Sequence, residues 1–295
     1  MKGIVLAGGK GTRLYPITKP CYKPLLPVYD KPMIYYPIAT LMTAGIREIL
    51  IITPPEGSAP FEQLLGDGSQ LGVQFTYKEQ KVQRGIADAF LVGEEFIGDD
   101  HVCLVLGDNI FDGPGFDIDL AKAVANSTGA TVFGYYVEDP RPFGVVEIDR
   151  YGKAVSIEEK PADPKSHYII PGLYFYDNRV VEIAKNVQPS ARGELEITSV
   201  NNAYLELGEL SVIKLGSRFC WYDTGTAESM FQASEAVRDI QNRQKRMVGC
   251  LEEIAYKKGF INRHQLLETA DSLKMTEYGR TLLRLAAEDT ARCGT

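Results

Sequence analysis

The first half of the chain alternates short apolar runs with segments of helical pattern, and this alternation is the strongest constraint on its fold. Strands are predicted at 3–7, 48–52, 73–77 and 101–106, and helices at 33–44, 61–65 and 86–96. Strands that are apolar almost throughout are typical of a parallel sheet covered by helices on both faces. The sequence therefore predicts an α/β fold with a Rossmann-like, mixed and mainly parallel sheet flanked by helices.

The second half of the chain has a different pattern. Short strands with tight turns are predicted at 131–137, 144–148, 154–157, 172–176, 211–215 and 219–222, with one helix at 195–207. Short connections favour antiparallel additions to the sheet. From residue 226 onward the pattern is helical, at 226–245, 250–258, 263–272 and 276–289. Because no linker rich in Gly, Pro or Ser interrupts the chain, we expect one α/β domain over 1–240 and a C-terminal helical extension over 241–295 packed on it.

Composition excludes several classes of protein. The chain has 295 residues, 44% of them hydrophobic, which is typical of a folded domain and not of a disordered chain. Its net charge of −7 argues against a protein that coats nucleic acid. Five cysteines without a Cys-x-x-Cys pair fit a reducing compartment, so we expect a cytoplasmic protein in which Cys103, Cys220 and Trp221 are core residues. No segment approaches the ~20 apolar residues of a membrane span.

A glycine-rich loop, Gly8–Arg13, follows the first predicted strand directly. Its glycines let bare backbone N–H groups face an anion, and Arg13 adds a permanently charged donor for phosphate. Residues 1–31 carry six lysines and arginines against Asp30 alone, which agrees with an anion site but also with a solvated basic face. The loop is not a P-loop, and Leu14 stands where a dinucleotide-binding fingerprint needs its third glycine. An ordinary glycine-rich turn remains the alternative.

Five charged residues elsewhere could carry chemistry. Lys23 precedes a proline-bounded turn and could lie near phosphate, or it could be an exposed lysine. Asp108 follows a buried strand, and Asp223 follows a later one; both could bind Mg²⁺, or they could cap a turn and a helix. Glu159 could accept hydrogen bonds from sugar hydroxyls and Lys160 could neutralise a sugar phosphate. The alternative for these two is a solvated strand end.

The catalytic patterns that are absent also indicate the chemistry. The three histidines lie far apart, and none belongs to a known nucleophile or metal motif. A sugar 1-phosphate needs no general base, because its second pKa is about 6 and it is mostly a dianion at neutral pH. Glycine amides, cations and carboxylates are enough to position two phosphate-bearing reactants around Mg²⁺. The candidate residues therefore supply what nucleotidyl transfer onto a sugar phosphate would require.

These motifs resemble those of the glucose-1-phosphate thymidylyltransferases, a branch of the sugar nucleotidyltransferase family that opens the dTDP-rhamnose route to cell-surface polysaccharide. The shared motifs occur in one order over nearly the whole chain, at Leu6–Arg13, Leu25–Pro37, Leu64–Ser69, Val105–Asn109, Phe143–Glu147, Glu158–Pro161, Gly172–Asp177, Arg192–Thr198 and Asp223–Thr226. The resemblance implies transfer of a nucleotidyl group from dTTP to α-D-glucose 1-phosphate, with Mg²⁺ as cofactor. It also implies a homotetramer with a second nucleotide site for feedback inhibition.

The resemblance further implies a set of site residues. The nucleotide is expected at Gly8, Gly9, Gly11, Thr12, Arg13, Lys23, Gln80, Gly85 and Asp108, with Gln80 and Gly85 at the pyrimidine edge. The sugar phosphate is expected at Asn109, Gly144, Glu159, Lys160, Ile170 and Gly172. Asp108 and Asp223 are the expected metal ligands, and the expected catalytic residues are Arg13, Lys23, Asp108, Lys160 and Asp223.

Differences from the family pattern leave the substrates open. Pro24 stands where glutamine is usual, Phe143 stands where tyrosine is common, and Phe111–Gly115 differs in the expected regulatory region, as does Ser217. One alternative is the same chemistry with UTP or another hexose 1-phosphate. A second is a non-catalytic relative that binds a nucleotide-sugar. A dinucleotide-dependent oxidoreductase is disfavoured because Asp30 does not end a second strand.

Overall fold

The computed structural model describes residues 1–9 and 11–293, so Lys10 of the glycine loop and the last two residues of the predicted extension lie outside the described residues. The strands are β1 (Lys2–Leu6), β2 (Pro27–Val28), β3 (Lys31–Pro32), β4 (Glu48–Thr53), β5 (Gln74–Glu79), β6 (Val102–Leu106), β7 (Asn109–Asp112), β8 (Ala130–Tyr136), β9 (Gly144–Ile148), β10 (Ala154–Glu159), β11 (Tyr168–Ile169), β12 (Leu173–Tyr176), β13 (Leu210–Lys214) and β14 (Cys220–Asp223). The helices are α1 (Tyr35–Thr43), α2 (Ser58–Leu65), α3 (Asp88–Val92), α4 (Glu94–Ile97), α5 (Phe116–Ala125), α6 (Val180–Asn186), α7 (Ile197–Glu206), α8 (Ala227–Gln244), α9 (Leu251–Lys257), α10 (Arg263–Ser272) and α11 (Glu277–Cys293).

Within the described residues, one mixed sheet of ten strands runs in the order β10-β9-β11-β8-β12-β6-β1-β4-β5, with β13 added to β8. Strands β6, β1, β4 and β5 are parallel neighbours, as the apolar runs predict. Strands β8 to β12 join by antiparallel pairing, which confirms the additions expected from the second half. The predicted α/β fold is therefore confirmed.

Several local elements differ from the sequence prediction. Strand β13 runs parallel to β8, because α6 and α7 carry the chain across the sheet before it returns. Strand β14 leaves the main sheet and pairs instead with β7, a four-residue strand that the pattern did not predict. The helix predicted over 86–96 is divided into α3 and α4 at Gly93, where a Cβ atom would lie 3.0 Å from the main-chain oxygen of Ala89. Helices α5 and α6 were not predicted.

The central strands divide the core into two layers. Successive side chains of a strand face opposite sides of the sheet, so Ile49 and Ile51 of β4 pack in one layer while Leu50 and Ile52 pack in the other. Helices α1, α2 and α5 cover the first layer, and α3, α6 and α7 cover the second. This arrangement leaves the loops at the carboxyl ends of β1 and β6 side by side at one edge.

The C-terminal extension packs into the first layer. Leu251 of α9, Leu266 of α10 and Leu282 of α11 are buried in the same cluster as α1 and α2. The division at residue 240 stays a prediction, and α8 runs across it. No helix in the described part of the chain is long and apolar enough to span a membrane.

The described cysteines agree only in part with the sequence prediction. Cys21, Cys103, Cys220 and Cys250 are all free thiols. Cys103 is buried in the sheet as predicted. Cys220 is not a core residue; it is half-buried, because β14 lies outside the main sheet and borders a second cleft.

Gly72 should be required for docking of the extension. Its φ is +65°, and a Cβ atom there would lie 2.2 Å from the main-chain oxygen of Phe260. We expect Gly72→Ala to lower the free energy of unfolding by more than about 2 kcal/mol, from backbone strain and overpacking together. Denaturant unfolding measures this change. Gly152, at φ +86° with nothing within 4 Å of its Cβ position, is the matched control. Gly152→Ala should cost only about 1 kcal/mol, and equal losses in the two variants would contradict the contact.

Candidate active site

Three chain segments meet at one edge of the sheet. The glycine loop leaves β1 and the Gly107-Asp108 turn leaves β6, and these two strands are parallel neighbours. Strand β14 brings Asp223 opposite Asn109 of β7. Thr224 then donates from Oγ1 to the main-chain oxygen of Asp108 at 2.8 Å. Backbone pairing therefore joins two carboxylates that are distant in sequence.

Lys23 and Asp108 form the central ion pair of this site. Lys23 is buried, and its Nζ lies 2.5 Å from Asp108 Oδ2. Asn109 Nδ2 donates to the other carboxylate oxygen, Oδ1, at 2.8 Å. A buried ammonium is stable only beside a compensating charge. Lys23 is thus not the exposed lysine of the alternative interpretation.

Arg13 and Asp223 flank Gly225 on the other side of the site. A Cβ atom at Gly225 would lie 2.8 Å from Arg13 Nη2 and 2.8 Å from Asp223 Oδ1, so a side chain there would displace one of these groups from its present position. The pKa of Asp223 is raised above its ordinary value, first by burial and then by the negative charge of Asp108. Lys23 and Arg13 act in the opposite direction without cancelling these effects.

This donor set fits a divalent metal ion that shares its coordination with a ligand. The described residues contain no cluster of three or more His, Cys, Asp or Glu side chains able to hold a metal by themselves. They do contain two neighbouring carboxylates, and the pKa of Asp223 is raised first by burial and then by the negative charge of Asp108. Mg²⁺ is commonly bound by one or two carboxylates together with phosphate oxygens and water. A dication at this position would remove the repulsion.

A cleft of about 550 Å³ opens beside these charges. Nine of the residues predicted from the sequence lie on its wall: Arg13, Asp108, Asn109, Gly144, Glu159, Lys160, Ile170, Gly172 and Asp223. Both expected metal ligands and the whole expected sugar-phosphate set are among them. The structure therefore brings these predicted residues together.

The other predicted residues lie next to the cleft and not on its wall. Gly11 has φ +62°, and a Cβ atom there would lie 2.8 Å from Thr18 Cγ2 and 3.1 Å from Lys23 Cβ. The glycine loop is thereby packed against the lysine of the central ion pair. Gly9 faces open space, and Thr12 is exposed in the short 3₁₀ turn that also carries Arg13.

Gln80, Gly8 and Gly85 form a second group at the end of β5. Gln80 is buried, with its Oε1 2.8 Å from where a Cβ atom of Gly8 would lie. Gly85 has φ +109°, and a Cβ atom there would lie 2.5 Å from the main-chain oxygen of Leu195, so only the missing side chain leaves room for that segment. Leu195 N donates to Arg84 O, and Ala87 N donates to Leu195 O. These bonds tie the Gln80–Ala87 segment to the opposite side of the cleft.

Glu159 is held in place on that opposite side. Thr198 Oγ1 donates to Glu159 Oε2 at 2.5 Å, and Arg192 Nη2 lies 3.3 Å from Oε1. A Cβ atom at Gly144 would lie 3.3 Å from the Glu159 carboxylate, so the glycine lets the carboxylate lie against the strand. Lys160 follows at φ +46°, a left-handed conformation that costs a non-glycine residue about 1–2 kcal/mol. Strain of this kind is common at functional sites.

Sequence reasoning missed three residues of the site. Trp221 was predicted to be a core residue, but it is half-buried on the cleft wall, and its Nε1 donates to Asn109 Oδ1 at 2.6 Å. No role was predicted from the sequence for Arg192 or Thr198, although both lie in a motif that the chain shares with the glucose-1-phosphate thymidylyltransferases. Their residue types alone carry no signal, because only the fold brings them to Glu159.

The sequence model of a family described as nucleotidyl transferase matches residues 2–240. The chain belongs to this nucleotidyltransferase family. It is 57% identical over 285 residues to "Glucose-1-phosphate thymidylyltransferase" of Neisseria meningitidis serogroup A, covering 97% of this chain and 99% of that protein. It is 53% identical, with the same coverage, to the protein of that name from Mycolicibacterium smegmatis. The resemblance inferred from the motifs is confirmed.

Solved structures agree with this membership. A crystal structure from Bacillus anthracis, described as a glucose-1-phosphate thymidylyltransferase in complex with a sucrose, has a TM-score of 0.75 and 44% identity, and covers 81% of this chain and 96% of that one. A UDP-glucose pyrophosphorylase complexed with UDP-glucose has a TM-score of 0.69 and 26% identity, and covers 83% of this chain and 99% of that one. This nucleotidyltransferase is thus an enzyme of a family with a shared fold.

Neutralising Asp223 should stabilise the metal-free enzyme. The folded-state pKa of Asp223 is raised, so the folded state holds the proton more tightly than the unfolded chain. Stability therefore falls as the pH rises from the unfolded-state pKa to the folded-state pKa of this group. At neutral pH we expect Asp223→Asn in EDTA to gain about 1 kcal/mol, or about 2–4 °C in Tm. Mg²⁺ should raise the Tm of the parent enzyme but not of this variant. Asp271→Asn, on α10, is the control, and a lower Tm for Asp223→Asn in EDTA would contradict the repulsion.

The left-handed backbone at Lys160 should lower the stability of the enzyme, while its ammonium group should support activity. Lys160→Ala and Lys160→Gly both remove the ammonium from the cleft, so both should lose about 10²-fold in activity. The glycine variant should be about 1 kcal/mol more stable than the alanine variant, because glycine tolerates positive φ. Glu56, exposed at φ +56°, offers the same pair of substitutions as a control. The Glu56 pair should show the stability difference at unchanged activity. A more stable Lys160→Ala would refute the strain.

Proposed function

We propose that the enzyme transfers a thymidylyl group from dTTP to α-D-glucose 1-phosphate, giving dTDP-glucose and pyrophosphate. One observation carries the proposal: Arg13, Asp108 and Asp223 line the same cleft as Glu159 and Lys160, and the buried Lys23 pairs with Asp108. Charges for phosphates and a metal stand next to groups suited to a sugar and its phosphate. The names of relatives at 57% and 53% identity support this choice of substrates.

The nucleotide would lie on the glycine-loop side. The backbone N–H groups of Gly8, Gly9, Gly11 and Thr12 would bind the triphosphate oxygens, as glycine-rich turns at strand ends do elsewhere. Arg13 and Lys23 would neutralise the pyrophosphate that leaves. Gln80 and Gly85 would bind the pyrimidine edge.

The sugar phosphate would lie across the cleft. Glu159, fixed by Thr198 and Arg192, would accept hydrogen bonds from sugar hydroxyls. Lys160 would compensate the charge of the sugar phosphate. The remaining contacts would come from Asn109, Gly144, Gly172 and the main chain at Ile170. Phe143 also lies on this wall, and it has no hydroxyl to offer the sugar.

The reaction is an in-line substitution. A phosphate oxygen of glucose 1-phosphate attacks the α-phosphorus of dTTP, and the bond from that phosphorus to the pyrophosphate oxygen breaks. The attacking group is already a dianion, so no residue has to remove a proton. The work of the protein is to align the two phosphates and to neutralise charge. Mg²⁺, held by Asp108 and Asp223, would supply further neutralisation of the triphosphate.

A second pair of substrates is also supported. A UDP-glucose pyrophosphorylase shares the fold at a TM-score of 0.69, and uracil differs from thymine by one methyl group. A difference of one methyl group lets a site prefer one substrate over the other by only ~1–3 kcal/mol of binding free energy in the transition state. A non-catalytic nucleotide-sugar-binding relative is disfavoured because both carboxylates and all three cations are retained. The homotetramer and the cytoplasmic location stay predictions. So does the feedback site, for which the second cleft, lined by Arg218 and Arg246, is the place to look.

Release of pyrophosphate tests the proposal. Purified enzyme with dTTP, glucose 1-phosphate and Mg²⁺ should release it steadily, and EDTA should stop the release. Asp108→Ala should lower kcat by about 10²-fold or more, as expected for a lost electrostatic contact in the transition state. Asp271→Ala, on α10, should leave kcat unchanged. Equal or better turnover with UTP would overturn the thymidylyl assignment, and no turnover with any nucleoside triphosphate would overturn the enzyme assignment.

A further inference from the structure

Asp88 is a buried carboxylate directly behind the residue proposed to bind the base. It is the first residue of α3 and only 1% exposed. Its Oδ2 accepts a hydrogen bond from Gln80 Nε2 at 2.8 Å, and its Oδ1 accepts one from Arg84 Nη2 at 2.7 Å. Arg84 compensates the charge of Asp88. None of the roles proposed so far uses this carboxylate.

These contacts fix which way the amide of Gln80 points. A carboxylate can only accept hydrogen bonds, and so can the main-chain oxygen of Gly85, which lies 3.4 Å from Nε2. Nε2 is therefore the atom that must face Asp88, and Oε1 must face Gly8. No donor in the described part of the chain reaches Oε1, and this oxygen keeps contact with solvent. The free group at the glycine loop is thus a hydrogen-bond acceptor.

We propose that Asp88 is a positioning residue that sets the base selectivity of the nucleotide site by holding Gln80 Oε1 toward the base. The inference rests on the proposed function and adds the class of base that the nucleotide site accepts. An acceptor in this position matches a base whose ring nitrogen carries a hydrogen, as N3 does in thymine and uracil. Cytosine presents an unprotonated N3 at the same place, so two acceptors would face each other. A buried polar group without a partner is costly, and this makes the choice strong.

The orientation depends on Asp88, because the two ends of a glutamine amide have nearly the same shape. Without a carboxylate behind it, the amide can turn over and present its NH₂ group to the base. Arg84 acts on Asp88 and not on Gln80, so a lysine in its place, which keeps the compensating positive charge, leaves the orienting hydrogen bond intact. The two residues therefore allow a specific test.

Asp88→Asn tests the inference directly. Arg84 would donate to the new Oδ1, and the new Nδ2 would face Gln80 as a donor, which reverses the amide. We expect the ratio of kcat/KM for dTTP to that for dCTP to fall by about tenfold or more, as for a site whose polar partner no longer matches. The ratio for dTTP to UTP should stay unchanged, because both bases carry the same N3–H. If Asp88 had only a structural role, its substitution would not lower the dTTP-to-dCTP ratio while leaving the dTTP-to-UTP ratio unchanged.

Controls separate the possible outcomes. Arg84→Lys, which keeps the positive charge beside Asp88, should keep the dTTP-to-dCTP ratio of the parent enzyme, and circular dichroism establishes that each variant is folded. If Asp88→Asn does not fold, Asp88→Ser, which also frees the amide, should lower the same ratio. A folded variant with an unchanged ratio, or with equal losses for both nucleotides, would overturn the role of Asp88. Calorimetric binding of dTDP and dCDP gives the same comparison without turnover. A parent enzyme that binds dTDP selectively but forms no dTDP-glucose would overturn the proposed function alone.

Discussion

Asp223 is half-buried near a second carboxylate, Asp108, and the cations Lys23 and Arg13 lie beside this pair. Backbone pairing of β7 with β14 and the Thr224 hydrogen bond hold these carboxylates together, and burial raises the pKa of Asp223. In the enzyme without metal or substrate, the positive charges of Lys23 and Arg13 offset part of the free-energy cost of burying Asp223 as a carboxylate. The arrangement is costly to folding but suited to phosphate chemistry, because the carboxylates and the cations both have a use once a metal ion and a triphosphate are present.

Main-chain hydrogen bonds connect the two sides of the cleft. Gly85 has no side chain, so Leu195 can make two main-chain hydrogen bonds with the segment that follows Gln80. The residues beside Leu195 in turn reach Glu159: Arg192 precedes it and Thr198 follows it. Groups proposed for the base and groups proposed for the sugar are therefore set relative to each other by backbone contacts. Such contacts hold geometry better than exposed side-chain pairs, which contribute little.

Sequence patterns predicted the parallel strands well and the edge elements poorly. Strands such as β4 and β6 are buried on both faces, so their apolar runs stand out from their surroundings. Strand β7 has four residues and follows a polar turn, and its pairing with β14 depends on a partner far along the chain. Trp221 was assigned to the core because an aromatic side chain is buried by default, whereas β14 in fact carries it to the cleft wall.

Local sequence patterns were enough to predict the fold class and the charged residues of the site, because the periodicity of apolar residues and the types of charged residues are local properties. It also indicated the chemistry, since glycines, cations and carboxylates at strand ends suit phosphate transfer. Which groups touch follows from the tertiary fold: Lys23 pairs with Asp108, Arg192 and Thr198 hold Glu159, and Asp88 accepts a hydrogen bond from Gln80. Such contacts join distant segments, and their distances follow from sheet order and from close glycine approaches that periodicity does not encode.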